Sequence, residues 1–291
     1  MSMENRGAVL RQMLSQQELL SAPGVYDLIS ARIAEDRGAK ALYMTGYGTV
    51  ASLLGLPDAG LIGYAEMVSR VAAISQRTSV PLIADADTGF GGLTALERTI
   101  LGYERAGAAA IQIEDQEFPK RCGHTAGRTV VSTDDMVRRI QVAVDTRASS
   151  DFMIIARTDA RTSLGLDEAL RRSEAYAQAG ADILFVEAPE SLEELERVGK
   201  SSSLPLVANM VEGGKTPILP AKALQDLGFS LAIFPALGFL AAGQALREAY
   251  DQLISQGSSF GGDTPLYPFE EFHKLVGFDE VWDFEKRWGA I

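Results

Sequence analysis

Cysteine and histidine are almost absent from this chain, which has one cysteine and two histidines in 291 residues. A single cysteine cannot form an intrachain disulfide, which agrees with a reducing compartment. No apolar stretch approaches 18 uninterrupted residues, and the first residues lack an apolar segment of signal-peptide length. These absences argue against a disulfide-stapled or membrane-spanning protein and predict a cytoplasmic one.

Positive charge is also scarce, because 27 Lys and Arg face 39 Asp and Glu, giving a net charge of −12. Nucleic-acid binding needs clustered Lys and Arg to neutralise phosphates, so the charge argues against such a partner. A small anionic substrate remains compatible, since a local pocket of cations and N–H groups can oppose the global charge. Hydrophobic residues make up 46% of the chain, which predicts a globular protein.

Eight short apolar runs are present, and most are separated by segments of helical periodicity. The runs are LLSAPG, ALYMTG, PLIADADTG, AAIQIEDQ, FMIIARTDA, DILFVEAPE, PLVANMVEG and LAIFPALG. Four predicted helices end at Gly38, Gly107, Gly180 and Gly228, just before the next run. The pattern predicts one (β/α)8 TIM-type barrel domain over residues 1–291. A doubly wound open sheet is the alternative, but G-x-G-x-x-G is missing after the first strand.

Polar residues follow most of these runs. They are Thr45, Gly46, Tyr47, Asp85, Asp87, Glu114, Asp115, Arg157, Asp159, Glu187, Asn209 and Glu212. Barrel enzymes carry their chemistry at the C-terminal ends of the strands, so these positions predict an active site there.

Two connections exceed the usual length, residues 47–66 and 116–135. Long loops on a compact domain are usually functional lids or disordered. Gly123 and Gly127 would let the second connection hinge, and we predict a gating loop at about residues 115–135. The aromatic-rich tail, at about residues 263–291, is predicted to be a helical extension. Its apolar face needs a partner, which predicts a homo-oligomer.

Asp85 and Asp87 lie two apart at a predicted strand end, so both side chains are expected on one side of the sheet. A divalent cation would relieve their repulsion, and oxygen-only ligands favour Mg²⁺ or Mn²⁺. Glu114, and Asp58 in the first long connection, could join through water. The alternative is that these are simply hydrogen-bonded carboxylates.

Cys122 lies in a polar loop next to Lys120, Arg121 and His124. A lone cysteine is most often a small buried hydrophobe, but this polar setting argues against burial. Neighbouring cations favour a thiolate, which acts as nucleophile or base, whereas the thiol can protonate a carbanion. The residues leave these roles open. Arg157 and the TGYG turn are candidates for binding a carboxylate.

The stretches YMTGYG, LPD, DADTGFGG, IEDQEFPKRCGH, ARTDA, VEAP and NMVEGGKTP follow the order and spacing of one family. The chain resembles the isocitrate lyase and phosphoenolpyruvate mutase superfamily from about residue 8 to the tail. The resemblance implies a (β/α)8 barrel whose eighth helix is exchanged between subunits, commonly in a tetramer. FEEFHKLVGF resembles part of that exchanged segment.

The resemblance also implies roles for individual residues. Magnesium would bind at Asp85 and Asp87, with Asp58 and Glu114 in the outer shell. Cys122 would be the proton donor on a closing loop, with His124 beside it, and Tyr43 would be the base. The implied substrate-binding residues are Thr45, Gly46, Tyr47, Gly123, Arg157, Glu187 and Asn209. The family's lyases often carry Ser and Gly where this chain has Thr45 and Tyr47.

Cys122 favours the C–C lyase branch, because the P–C-cleaving members and the oxaloacetate decarboxylases generally lack a Cys-Gly-His loop. Methylisocitrate lyases typically read TEFG where this chain has VEGG at 211–214. The implied function is therefore a Mg²⁺-dependent lyase that cleaves a 2-alkylmalate-type acid, such as 2,3-dimethylmalate or 2-methylisocitrate, to an α-oxo acid such as pyruvate and a second carboxylic acid. An oxaloacetate hydrolase or decarboxylase and a non-catalytic carboxylate-binding protein are the alternatives.

Overall fold

A computed structural model describes residues 5–16, 18–123 and 127–289. Eight parallel strands form a closed barrel in chain order, and the first pairs with the last. The strands are β1 Leu20–Val25, β2 Leu42–Met44, β3 Leu82–Asp85, β4 Ala110–Glu114, β5 Met153–Thr158, β6 Ile183–Val186, β7 Leu206–Asn209 and β8 Leu231–Phe234. Each falls in one of the eight apolar runs, so the predicted (β/α)8 barrel is confirmed.

Helices surround this barrel. They are α1 Arg6–Leu14, α2 Leu28–Asp36, α3 Gly46–Leu54, α4 Tyr64–Arg77, α5 Leu93–Arg105, α6 Thr133–Thr146, α7 Ala160–Leu164, α8 Leu166–Gln178, α9 Leu192–Gly199, α10 Ala221–Leu227, α11 Leu237–Gln256, α12 Phe269–Val276 and α13 Phe278–Arg287. The four glycines predicted to close helices all adopt positive φ. A residue with a β-carbon would be strained in this conformation, which explains why glycine occupies the position that closes each of these helices.

The strands are buried on both faces, which is why they appear in the sequence as continuous apolar runs. Alternate residues serve two separate cores. Leu42 and Met44 of β2 pack outward against the helices, whereas Tyr43 between them points into the barrel with Ile83 and Phe185. The barrel interior is therefore filled with side chains, and its C-terminal mouth is left to carry the site.

The first long connection differs from the expectation. Residues 46–54 form α3, so the irregular part shrinks to residues 55–63. Val50 is one of the buried residues of this helix, and Gly55 ends the helix with a φ of 64°. The described parts of the second connection, from β4 to residue 123 and from residue 127 to α6, contain no helix. Its two ends pair with each other through an antiparallel bridge between Gln116 and Val130.

The C-terminal helices leave much apolar surface uncovered. α11 is 20 residues long and contains no buried residue, and α13 contains none. α12 is attached to the barrel through Arg32 of α2, whose Nε and Nη2 donate to the carbonyl of Leu275 at 3.1 and 2.7 Å. The tail is helical, as its pattern predicts. Along the described part of the chain, no helix is long and apolar enough to cross a membrane.

Candidate active site

A cavity of about 60 Å³ lies at the C-terminal ends of the strands. The predicted residues that line it are Tyr43, Thr45, Tyr47, Asp58, Asp85, Glu114, Cys122, Gly123, Arg157, Glu187 and Asn209. Gly46 and Asp87 lie directly beside it through their contacts with Asp85. His124 lies outside the described residues. The structure thus brings together predicted residues from six strand ends, β2 to β7, and from both long connections.

Asp85 and Asp87 converge in a different way from the one expected from strand alternation. β3 ends at Asp85, and Asp87 lies in the following turn with a φ of 51°, in the left-handed region. The Asp87 N–H donates to Asp85 Oδ1 at 3.0 Å, and the Gly46 N–H approaches Asp85 Oδ2 at 3.3 Å. Non-glycine residues with this conformation are concentrated at functional sites, where surrounding contacts hold them.

Gly46 begins α3 directly against these carboxylates. A β-carbon added at Gly46 would lie 2.6 Å from Asp85 Oδ2, so only glycine lets the backbone approach so closely. The first turn of α3 therefore directs its N–H groups and the positive end of its dipole toward the cavity, an arrangement that attracts anions.

Lys120 is the cation closest to this carboxylate cluster. Its Nζ lies 2.5 Å from Asp58 Oδ1 and 2.6 Å from Asp87 Oδ1, and its side chain is only 4% exposed. Burial alone would lower the pKa of Lys120, but the charges of Asp87 and Asp58 outweigh it and raise that pKa well above its ordinary value. Lys120 therefore stays charged and ties the second long loop to the aspartates.

Burial also changes the carboxyl groups. Burial is the main cause that raises the pKa of Asp87 to about 7, although Lys120 opposes the shift. Burial likewise raises the pKa of Glu114 well above its usual range, opposed by Arg157. Glu114 Oε1 is buried and has no hydrogen-bond partner among the described residues. Such a group is suited to accept a bond from a ligand or from water in the shell of a cation.

These oxygens are a suitable donor set for Mg²⁺. Mg²⁺ usually binds one or two carboxylates and keeps several waters, which substrate oxygens can replace. Within the described residues, no three Asp, Glu, His or Cys side chains form a ready cluster for a metal ion. Two converging aspartates with a partnerless Glu114 oxygen nearby fit such a sparsely ligated ion.

Arg157 provides a second cation in the lining of the cavity. Its Nε and Nη2 donate to Asp159 at 2.9 Å each, while Nη1 lies 3.7 Å from Glu187 Oε2. Asn209 donates to both oxygens of Glu187, at 3.3 and 3.1 Å, and its Oδ1 has no partner among the described residues. This part of the lining can bind a carboxylate and orient it with polar groups.

Tyr43 is joined to the aspartates through Gln112. The phenol donates to Gln112 Oε1 at 2.9 Å, and Gln112 Nε2 donates to Asp85 Oδ1 at 3.2 Å. Burial, with the charge of Asp85, raises the pKa of Tyr43 well above its usual value. The phenol therefore holds its proton firmly, which suits a hydrogen-bond donor better than a base.

The second long loop lies over the cavity in this structure. The Cys122 N–H donates to the carbonyl of Asp58 at 3.3 Å. Gln116 donates to the carbonyl of Arg121 at 2.8 Å and accepts from its N–H at 2.9 Å. Cys122 is half-buried and faces the cavity, so its thiol can meet a ligand bound there.

The sequence patterns did not predict several residues of the site. Lys120 was noted only as a neighbour of the cysteine, although its charge within that stretch was a usable signal. Gln112 interrupts an apolar strand, and this interruption could have indicated a buried role. Val211, Pro235, Ala236 and Phe239 form an apolar wall, but nothing distinguishes them in sequence from core residues. The fold and the site together define a barrel enzyme equipped for acid–base chemistry on a small carboxylate.

Comparison with known proteins identifies the family. The phosphoenolpyruvate phosphomutase profile matches residues 10–254. The 2,3-dimethylmalate lyase of Eubacterium barkeri is 45% identical, covering 98% of this chain and 99% of the relative. The 2-methylisocitrate lyase of Aeropyrum pernix is 42% identical, with 98% and 91% covered. A structure of oxaloacetate acetylhydrolase with the inhibitor 3,3-difluorooxalacetate has a TM-score of 0.93 at 38% identity over 98% of both chains. The chain belongs to the phosphoenolpyruvate mutase/isocitrate lyase superfamily.

Proposed function

We propose that this protein is a Mg²⁺-dependent carbon–carbon lyase acting on a 2-hydroxy dicarboxylic acid of the 2-alkylmalate type. The products are an α-oxo acid such as pyruvate and a second carboxylic acid. The observation that carries the proposal is the position of Cys122, which lines the same cavity as Arg157, Asp58 and Asp85. The 45% identity to a 2,3-dimethylmalate lyase over nearly the whole chain supports it.

Asp85 and Asp87, with Asp58 and Glu114 outside them, are the residues that would hold Mg²⁺. A bound divalent cation supplies Lewis acidity to the substrate hydroxyl and carboxylate oxygens. The chain's own groups orient the substrate: the N-terminus of α3, where Thr45, Gly46 and Tyr47 lie, presents the Tyr47 N–H and the positive end of the helix dipole to one carboxylate.

Arg157, with Glu187 and Asn209 around it, binds the second carboxylate. The hydroxyl on C2 gives its proton to a water molecule in the cavity, its O–H electron pair becomes the second C–O bond of the α-oxo acid, and the C2–C3 bond breaks with its electron pair left on C3. Cys122 then gives its thiol proton to C3. The loop that carries Cys122 and Gly123 keeps bulk water from protonating the carbanion in an uncontrolled way. Tyr43 is a poor base, because its pKa is raised well above the usual value and its one hydroxyl hydrogen is donated to Gln112 Oε1.

The apolar wall supports an alkyl substituent on the substrate. Val211, Pro235 and Phe239 offer contacts to a methyl group and no partner for a further charged group. The similarity to oxaloacetate acetylhydrolase makes hydrolysis of oxaloacetate the second candidate. Measuring turnover of 2,3-dimethylmalate, 2-methylisocitrate and oxaloacetate side by side decides between them, and no turnover of any of the three would refute the proposal.

Replacing Cys122 by Ser tests the mechanism. The shape is kept but the acid is far weaker, so we expect cleavage to fall at least ~100-fold while Mg²⁺ and pyruvate still bind. Calorimetric binding and steady-state turnover measure the two effects separately. A serine variant that is less stable yet nearly as active would show that the cysteine is structural and would end the proposed mechanism.

A homo-oligomer, with the tetramer of the family as our choice, is also proposed. α11 has no buried residue, and its exposed apolar side chains include Leu246, Tyr250 and Ile254. Burying such a face against another subunit removes it from water. Light scattering at micromolar concentration should give several times the monomer mass, and a monomer would contradict this. A cytoplasmic location stays a prediction from the sequence.

A further inference from the structure

Arg128 of the second long loop is buried and is not among the residues that line the cavity. Its Nη1 lies 2.5 Å from Asp159 Oδ1, and its Nη2 donates to Thr162 Oγ1 at 2.5 Å. The side chain is 1% exposed. Burying the charge of an arginine costs free energy, because the guanidinium loses its contact with water. We therefore expect the buried Arg128 to stabilise the residue with which it pairs.

That partner, Asp159, is shared with Arg157. Asp159 Oδ1 accepts from Arg128 and also from Arg157 Nη2, while Asp159 Oδ2 accepts from Arg157 Nε. Asp159 is itself fixed, because its N–H donates to Asp115 Oδ1 at 2.8 Å. One immobile carboxylate therefore joins the loop arginine to the arginine that faces the cavity.

The charges around Arg157 show what this sharing achieves. Arg157 has three acidic neighbours, Asp159, Glu114 and Glu187, of which Glu114 Oε2 lies 3.4 Å from Nε. Without Arg128, the whole charge of Asp159 would act on Arg157. A substrate carboxylate would then meet a guanidinium whose attraction is cancelled by its surroundings.

We propose that Arg128 is a positioning residue for substrate binding. The charge of Arg128 neutralises Asp159 and so preserves the positive potential around Arg157. Arg128, which is itself bonded to Thr162, also fixes the orientation of the Asp159 carboxylate, and that carboxylate directs the Arg157 guanidinium into the cavity. Arg128 acts on the ligand only through Asp159. The inference rests on the proposed function for the identity of the ligand as a carboxylate, and on the observed contacts for everything else.

The test is a set of variants with oxalate as the probe, in the presence of Mg²⁺ throughout. Calorimetry measures oxalate binding without turnover, and kinetics on the preferred substrate separates KM from kcat. Arg128→Met removes the charge. Arg128→Lys keeps the charge but replaces the planar guanidinium by an ammonium. As the matched control, Arg138→Met makes the same exchange on α6, where Arg138 is exposed and pairs with Asp135.

We expect Arg128→Met to weaken oxalate binding about 10-fold, the ratio that roughly 1.4 kcal/mol produces. KM should rise by a similar factor while kcat changes less, since Arg128 lies away from the reacting atoms. Arg128→Lys should recover most of the binding, and Arg138→Met should match the unaltered protein. Wild-type affinity for oxalate in Arg128→Met would overturn the inference.

A double variant separates positioning from a structural role. If Arg128 acts through Asp159, adding Arg128→Met to Asp159→Asn should change oxalate binding less than ~2-fold, whereas independent effects would multiply. Multiplied effects would therefore refute the inference. The double variant also removes both halves of the buried pair, so it provides a folded comparison if Arg128→Met alone is unstable. Failure of the unaltered protein to bind oxalate would instead count against the anion site, and so against the proposed function.

Discussion

Gly123 offers the sharpest test of loop position. Its backbone lies so close to the polar wall that an added β-carbon would be 2.4 Å from Arg157 Nη2 and 2.5 Å from Glu187 Oε1. Both atoms belong to side chains that cannot easily retreat, because Asp159 holds Arg157 and Asn209 holds Glu187. Normal contact begins at about 3.4 Å, so in Gly123→Ala the loop must move outward by roughly 1 Å, and an error of that size costs about 100-fold in rate.

The stability of Gly123→Ala should change little. Gly123 does not have a positive φ, so alanine introduces no backbone strain, and the loop can lift without disturbing the barrel. We therefore expect kcat/KM to fall between about 10- and 100-fold and the melting temperature to stay near that of the unaltered protein.

The matched control is Gly92→Ala, because an added β-carbon there meets nothing within 4 Å. Cys122, the chain's only cysteine, supplies a second assay, since the rate at which a thiol reagent labels it should rise when the loop is displaced. Gly123→Ala with full activity and unchanged labelling would refute the placement of the loop against Arg157.

Two further predictions follow from the buried carboxyl groups. Asp87 must lose its proton to bind a cation, so with a pKa of about 7 the affinity for Mg²⁺ measured by calorimetry should fall about tenfold per pH unit below pH 7 and level off above it. A Mg²⁺ affinity that stays constant from pH 5 to 8 would contradict this assignment. Because the pKa of Asp87 is raised above the ordinary 3.8, the metal-free protein should also lose stability as the pH rises from about 3.8 to about 7. Asp115→Asn should lower the free energy of unfolding in urea by about 1.5 to 3 kcal/mol, because Asp115 Oδ2 accepts from Arg172 Nη1 at 3.1 Å and from the Tyr176 hydroxyl at 2.7 Å, while Arg172 keeps Glu168 as its other partner. A loss below about 1 kcal/mol would show that the pair is not structurally important.

The barrel was predictable because burial on both faces makes each strand a continuous apolar run, and because Gly38, Gly107, Gly180 and Gly228 mark the helix ends. α3 was missed because YGTVASLL has small and β-branched residues, which weaken a helical pattern. Its stability comes from packing, including the burial of Val50, which the local sequence does not reveal.

The candidate site was predictable where polar residues end apolar strands, as at Asp85, Arg157 and Asn209. Contacts between distant segments were not. Lys120 pairs with Asp58 across 62 positions of the chain, and the left-handed turn at Asp87 depends on contacts that no spacing rule records. The apolar wall could not be predicted either, because in the sequence Pro235 and Phe239 resemble core residues, and only the fold shows that they line the cavity.

The surplus of carboxylates at the barrel mouth also connects folding to the ionic surroundings. Asp58, Asp85 and Asp87 have Lys120 as their shared cation, while Glu114 is paired with Arg157, so the folded chain holds repulsion among three carboxylates that the unfolded chain, with these groups dispersed in water, does not have. Any divalent cation that binds only the folded form shifts the balance by mass action, by about 2.7 kcal/mol at 100 times its dissociation constant. The survival of the protein against heat and proteases should then follow the supply of free Mg²⁺, so that starvation for the ion lowers the amount of protein as well as its activity.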